Sequence, residues 1–93
     1  MLTLDSSVRI PTYVTSGLVE QATVLLNKHT KKYYELDGVG TCIWEQLQNG
    51  KTLRESYQVL LEDYEVDPVQ LEKDVLELLE DLRKHGLVEI VPA

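Results

Sequence analysis

The chain carries few side chains able to do acid–base, nucleophilic or metal chemistry: two histidines and one cysteine among 93 residues. His29 lies in the polar run Asn27-Lys28-His29-Thr30. His85 precedes Gly86, at a helix end where a cation suits the dipole. Cys42 is distant from both histidines, so no zinc-ligand spacing is present, and a lone cysteine forms no internal disulfide. Gly38 and Gly40 lack the further glycine and the lysine of a phosphate-binding loop, and there is no serine elbow. The adjacent acids Glu62-Asp63 and Glu80-Asp81 read as exposed helix residues. These features predict a protein that is not an enzyme and uses no cofactor or metal.

A chain of 93 residues has room for one small domain, which would bury roughly 60–65% of its unfolded surface. The hydrophobic fraction of 43% supports a core. No apolar run approaches the roughly 18–20 residues needed to span a bilayer. The start MLTLDSSVRI has neither the basic end nor the apolar run of a signal peptide. The expected setting is cytoplasmic, where a free thiol persists. The net charge of −7 is unevenly placed. Up to Asp37, the acids Asp5, Glu20, Glu35 and Asp37 balance Arg9, Lys28, Lys31 and Lys32, so the excess falls behind. An acidic second half argues against a nucleic-acid partner.

The stretch Lys31–Leu47, KKYYELDGVGTCIWEQL, joins a β part to a helical part. Alternation from Lys31 to Leu36 puts Tyr34 and Leu36 on one face and Tyr33 and Glu35 on the other. Asp37 is placed to cap a helix whose stripe is Val39, Ile43 and Leu47, with Trp44 at its edge and Gly38 and Gly40 allowing close backbone. Before it, Val8, Ile10, Tyr13 and Val14 around Pro11 predict a first strand, at an edge or broken by the proline. Ser16 and Gly17 mark a turn. Glu20–Leu26 then reads as a second strand with Ala22, Val24 and Leu26 on one face, and Asn27–Thr30 as the connector to a third strand, Lys31–Leu36.

Asn49 and Gly50 stop the first helix. Thr52 and Glu55 have the spacing of a capping box for a second helix, whose stripe is Leu53, Tyr57, Leu60, Leu61 and Tyr64. Asp67 as cap, Pro68 at the first helical position, Gln70 for a reciprocal bond and Val66 against Leu71 announce a third helix, ended by Gly86. It carries two apolar lines, Leu71, Val75, Leu78 and Leu82 in one and Val69, Leu76 and Leu79 in the other. Either both pack, or part of this surface lines a groove beside the free edge of the third strand.

The expected fold is therefore α+β and winged helix-turn-helix-like: a three-stranded antiparallel sheet followed by three helices, one domain over residues 1–93 with its core at about 8–90. The residues Val8-Arg9, Val24-Leu25-Leu26-Asn27, Lys32-Tyr33-Tyr34-Glu35-Leu36-Asp37 and Gly40-Thr41-Cys42-Ile43-Trp44-Glu45-Gln46-Leu47, in that order and spacing, resemble the PqqD family of peptide-recognition domains. The likeness continues through Tyr64-Glu65-Val66-Asp67-Pro68 to Asp74-Val75, Leu79, Leu82, Gly86 and Leu87. Asp37 stands where that family commonly has asparagine, and the segment between Arg9 and Val24 is longer than usual.

The resemblance implies a module that binds the leader of a ribosomally made precursor peptide as an added strand on the third strand, against the third helix. It would present the precursor to a modifying enzyme or a cysteine leader peptidase. Lasso-peptide biosynthesis is the closer setting, and synthesis of the redox cofactor PQQ, alongside a radical enzyme, the next. Carried onto this chain, the peptide-binding residues are Lys31, Lys32, Tyr33, Tyr34, Glu35 and Leu36 on the strand and Leu71, Asp74, Val75, Leu78 and Leu82 on the helix. Tyr33 with the helix leucines is the expected pocket lining, Tyr33 on the solvent side the alternative. A dimer through the strand edge is also open. Rival readings are a non-catalytic subunit that stabilises an enzyme and a winged-helix DNA-binding regulator. The second would need a basic third helix, whereas this one holds Asp67, Glu72, Asp74, Glu77, Glu80 and Asp81 against Lys73, Arg83 and Lys84.

Overall fold

Pro11 decides how the first third of the chain is used. A proline gives no N–H to a strand ladder, and here the chain breaks there into β1 (Ser7–Arg9) and β2 (Val14–Val19), with Pro11 O accepting from Val14 N at 3.1 Å. The computed structural model describes residues 2–20 and 22–91. After β2 come β3 (Ala22–Asn27), β4 (Lys32–Leu36), the helices α1 (Gly38–Gln48), α2 (Leu53–Asp63) and α3 (Pro68–Lys84), and β5 (Glu89–Val91).

The strands form two sheets. β2, β3 and β4 make the expected three-stranded antiparallel sheet in that order, while β1 pairs only with β5, Val8 opposite Ile90. The single first strand read from sequence is thus two strands in two sheets. Ser16 and Gly17 do not turn. They lie inside β2, opposite Leu25 and Val24, and the chain reverses further on, at Glu20, with φ of 59°. Gln21, part of the predicted second strand, lies outside the described residues. Arg9 bonds Glu89 across the small sheet.

Burial identifies the core face of the larger sheet as Val14, Thr23, Leu25, Asn27 and Leu36, while Ala22, Val24 and Leu26 are half-buried on the other face. Against that inner face pack Ile43 and Trp44 of α1, Leu53, Tyr57 and Leu60 of α2, and Leu71, Val75, Leu79 and Leu82 of α3, closed by Leu87, Val88 and Leu4. The core therefore takes members of both predicted lines of α3, leaves Leu76 and Leu78 half-buried at its two borders and exposes Val69.

The helix starts follow from local chemistry. The Asp37 side chain accepts from Gly40 N at 2.8 Å, and Thr52 and Glu55 form both bonds of a capping box. Asp67 accepts from Val69 N ahead of Pro68, but Gln70 turns forward to Asp74 rather than back to the cap. Gly40 is the glycine whose missing side chain matters in α1: an added Cβ would lie 3.2 Å from the Leu36 side chain, whereas one at Gly38 would meet nothing within 4 Å. Cys42 is half-buried, and burial together with Glu45 and Asp63 pushes its thiol pKa up.

Candidate functional site

Asn27 sits at the junction of all the parts that build the site. The sequence reads it as a connector residue, yet it ends β3 and is 3% exposed. Its Oδ1 accepts from His29 N (2.9 Å) and Thr30 N (3.2 Å), and its Nδ2 donates to His85 O (3.2 Å) and Gly86 O (3.3 Å). One side chain thus shapes the β3–β4 turn and ties it to the C-terminus of α3. The turn closes with Lys31 N donating to Asn27 O at 2.7 Å and Lys31 in the left-handed region, φ 62°. Lys31 therefore belongs to the turn, and the strand begins at Lys32.

Beyond the turn β4 has β3 on one side and, among the described residues, no strand on the other. Lys28 N donates to Tyr13 O at 2.9 Å, toward β2, while Asn27 O serves the β4 side. Backbone groups in an antiparallel ladder alternate sides residue by residue. Odd-numbered residues of β3 therefore bond to β4, and the register Leu25 to Tyr34 and Thr23 to Leu36 commits those two β4 residues to β3. The N–H and C=O groups of Tyr33 and Glu35 are left pointing outward along the open edge.

Side chains divide across the two faces. Lys32, Tyr34 and Leu36 look toward α3, and Tyr33 and Glu35 look away from it. Leu36 is buried, Tyr34 half-buried, and Tyr33 is 72% exposed. The Tyr34 hydroxyl donates to the Asp81 carboxylate on α3. That bond, with partial burial added, pushes the phenol pKa up to about 12. Its ring meets the edge of His85, centroids 5.1 Å apart, and His85 Nδ1 lies 2.8 Å from Asp81 O. Tyr34, Asp81 and His85 form the floor of a groove whose walls are the β4 edge and one flank of α3. Along that flank a cavity of about 480 Å³ is lined by Asp74, Glu77, Leu78, Glu80, Asp81 and Lys84.

The site predicted from sequence is therefore brought together only in part. Lys32 and Tyr34 line a cleft at the turn with Lys84 and His85, Asp74 and Leu78 line the hollow along α3, Lys84 being common to both, and the backbones of Tyr33 and Glu35 reach the open edge. Leu71, Val75 and Leu82 are only 5%, 1% and 1% exposed, packed in the core beneath the groove with Leu36. Tyr33 does not share a pocket with the α3 leucines, because strand alternation turns it to the opposite face of the sheet. Sequence reasoning passed over Asp81, Lys84 and His85. The signal was available: Asp74, Leu78, Asp81 and His85 recur every three or four residues, one line along the flank of the helix. Among the described residues no cluster of His, Cys, Asp and Glu could hold a metal, and no helix is long and apolar enough to cross a membrane.

The family model for coenzyme PQQ synthesis protein D (PqqD) matches residues 22–88. No curated protein matches the chain. Among solved structures, the chain is similar to one described as TbiB1 in complex with the TbiA(beta) leader peptide, at 32% identity over 91% of this chain and 99% of the other, with a TM-score of 0.85. It also shares the fold of a lasso peptide synthetase B1 complexed with the leader peptide, at 23% identity over 92% of this chain and 99% of the other, with a TM-score of 0.81.

Proposed function

The chain belongs to the PqqD family, and from that premise we propose that it binds the leader of a ribosomally made precursor peptide as a strand added to β4. The observation that carries this reading is the open β4 edge beside the groove floored by Tyr34 and Asp81, in a chain 32% identical to a protein solved with a leader peptide. Tyr33 and Glu35 offer two N–H and two C=O groups to the incoming strand. Ordering each leader residue costs roughly 1–2 kcal/mol of backbone entropy, and a strand hydrogen bond returns a net of about 0.5–1.5 kcal/mol. Backbone pairing alone is then insufficient, and leader side chains must supply the rest by entering the groove against Leu78, Tyr34 and the apolar stems around them.

In this reading the protein is a non-catalytic recognition domain acting in the cytoplasm. It hands the bound precursor to a modifying enzyme or a cysteine leader peptidase, in lasso-peptide biosynthesis before PQQ synthesis. Lys31, an exposed charge on the turn, would affect the association rate of an acidic leader more than its affinity, whereas Lys32 lies on the face of β4 that looks toward α3. The acidic exposed flank of α3, with Asp74, Glu77 and Asp81, disfavours DNA. A second reading, a subunit that stabilises a partner enzyme, draws on the opposite flank of α3, where Leu2, Val69 and Leu76 border a hollow of about 540 Å³.

The test is fluorescence anisotropy of a labelled precursor leader peptide, titrated with the wild type and with Tyr33→Pro, which removes an outward N–H. Saturable binding that is lost in a variant still folded by circular dichroism supports strand addition. Absence of binding to the wild type leaves the enzyme-stabilising subunit.

A further inference from the structure

We infer that the cleft where the C-terminus of α3 meets the β3–β4 turn is a carboxylate-binding subsite, which takes an acidic side chain of the strand bound on β4. This rests on the leader-binding reading and adds to it a chemical requirement on the peptide. The cleft holds about 410 Å³ and is lined by residues of the β3–β4 turn, β4 and the end of α3, among them Asn27, His29, Lys32, Tyr34, Lys84 and His85. No acid is among these residues, although the chain has 16 Asp and Glu against 9 Lys and Arg.

The cations converge from separate elements. Lys32 opens β4 on the face that looks toward α3, and Lys84 is the last residue of α3. Arg9, Arg54 and Arg83 are engaged with Glu89, Asp5 and Glu80, whereas among the described residues neither Lys32 nor Lys84 makes a close ion pair, although Lys84 lies one helical turn from Glu80 and helps lower its carboxyl pKa. Of the acids beside Lys84 on α3, Asp81 already accepts the Tyr34 hydroxyl and Glu80 is paired with Arg83, and Glu35 lies on the other face of the sheet. The helix-end carbonyls of His85 and Gly86, which would repel an anion, are covered by Asn27 Nδ2. His29 stacked on Tyr13 (centroids 4.0 Å) and His85 against Tyr34 form the side walls.

Strand geometry delivers a side chain to this place. A peptide paired with β4 sends every second residue to the α3 face, and the one beside Lys32 lies at cross-strand distance from it, about 4.5–5.5 Å between Cβ atoms. Further along the same wall the lining turns to Asp74, Glu77 and Asp81. The groove is therefore polarised, cationic at the turn and anionic toward the start of α3. A peptide with an acid at one end of its bound segment is read in one register and one direction.

The experiment selects phage-displayed random 12-residue peptides on the full-length protein, on Tyr33→Pro and on Lys32→Gln/Lys84→Gln, whose substitutions are at the surface. Wild-type selection is expected to fix Asp or Glu at one distance from an apolar anchor, and the double lysine variant to lose that preference while keeping the anchor. A synthetic selected peptide with that acid replaced by Gln should bind the wild type roughly three- to tenfold more weakly, and the double variant no differently. An aromatic or apolar residue at that position, or an equal effect of the Gln peptide on both proteins, overturns the subsite while leaving edge binding intact. Competition by inorganic phosphate at constant ionic strength, with no effect of the Gln peptide, assigns the cleft to a free anion and also overturns it. Recovery of no peptide sensitive to Tyr33→Pro removes the leader reading and the subsite together.

Discussion

Replacing Asn27 by alanine is the mutation that probes most of this structure at once. The side chain is 3% exposed and makes four hydrogen bonds, two of them to residues 58 and 59 positions away. At about 0.5–1.5 kcal/mol net per bond, the four sum to roughly 2–6 kcal/mol. Two considerations place the value in the lower half. The Nδ2 bonds are long, at 3.2 and 3.3 Å, and the His29 and Thr30 amides sit on an exposed turn where water can replace the lost acceptor. The expected destabilisation is about 2–4 kcal/mol, which for a domain of this size lowers Tm by roughly 10–25 °C. The assay is urea and thermal unfolding followed by circular dichroism. Asn27→Asp provides the control. It keeps the acceptor but sets a carboxylate against two carbonyls, so its carboxyl pKa is raised in the folded state. Its stability should therefore improve as pH falls through the carboxylate range and worsen as pH rises. A loss under about 1 kcal/mol for Asn27→Ala, or an Asn27→Asp variant as stable as wild type at neutral pH, would refute the claim that this residue clamps the turn to α3.

Other consequences follow from the same contacts. Gly40→Ala brings a Cβ to 3.2 Å from buried Leu36 and 3.3 Å from the capping oxygen of Asp37. It should cost about 1–2 kcal/mol despite the better helix propensity of alanine, while Gly38→Ala is neutral or stabilising in the same urea midpoint measurement. Tyr34 should be the late-titrating tyrosine in an ultraviolet absorbance titration, near 12 against an ordinary 10, and Asp81→Asn should bring it down. Because the folded pKa is raised, the bond's contribution to stability is fully present below pH 10 and fades as pH rises toward 12. The stability difference between wild type and Asp81→Asn should narrow over that interval.

What could be read from the sequence was what short-range chemistry decides. Asp37, Thr52 with Glu55, and Asp67-Pro68 announced three helix starts, because caps act within one turn. The alternation in Lys31–Leu36 separated Tyr34 and Leu36 from Tyr33 and Glu35, because strand period is local, but it did not tell which face meets α3, and the expected pocket put Tyr33 with the α3 leucines. The rest depended on partners far along the chain. Residues 7–9 pair with 89–91 rather than with β2, which nothing near Pro11 encodes. Ser16 and Gly17 have turn composition, yet pairing with Leu25 and Val24 holds them in a strand. Asn27 reads as a loop residue until the carbonyls of His85 and Gly86 are seen beside it. On α3 the periodicity supplied two apolar lines. Only the position of the sheet decides that Leu79 is core and Leu78 borders the groove, and so that Leu71, Val75 and Leu82 support the site from beneath.

The central claim, that a leader adds to the open edge of β4, is tested most directly by residue-resolved amide hydrogen exchange of the wild type with and without the leader peptide. Strand addition predicts new protection at the Tyr33 and Glu35 amides, which face outward, with Tyr34 and Leu36 already protected by β3 and little changed. Saturating leader that leaves Tyr33 and Glu35 exchanging as before, or that protects the opposite edge at Ser16 and Leu18 instead, would contradict it.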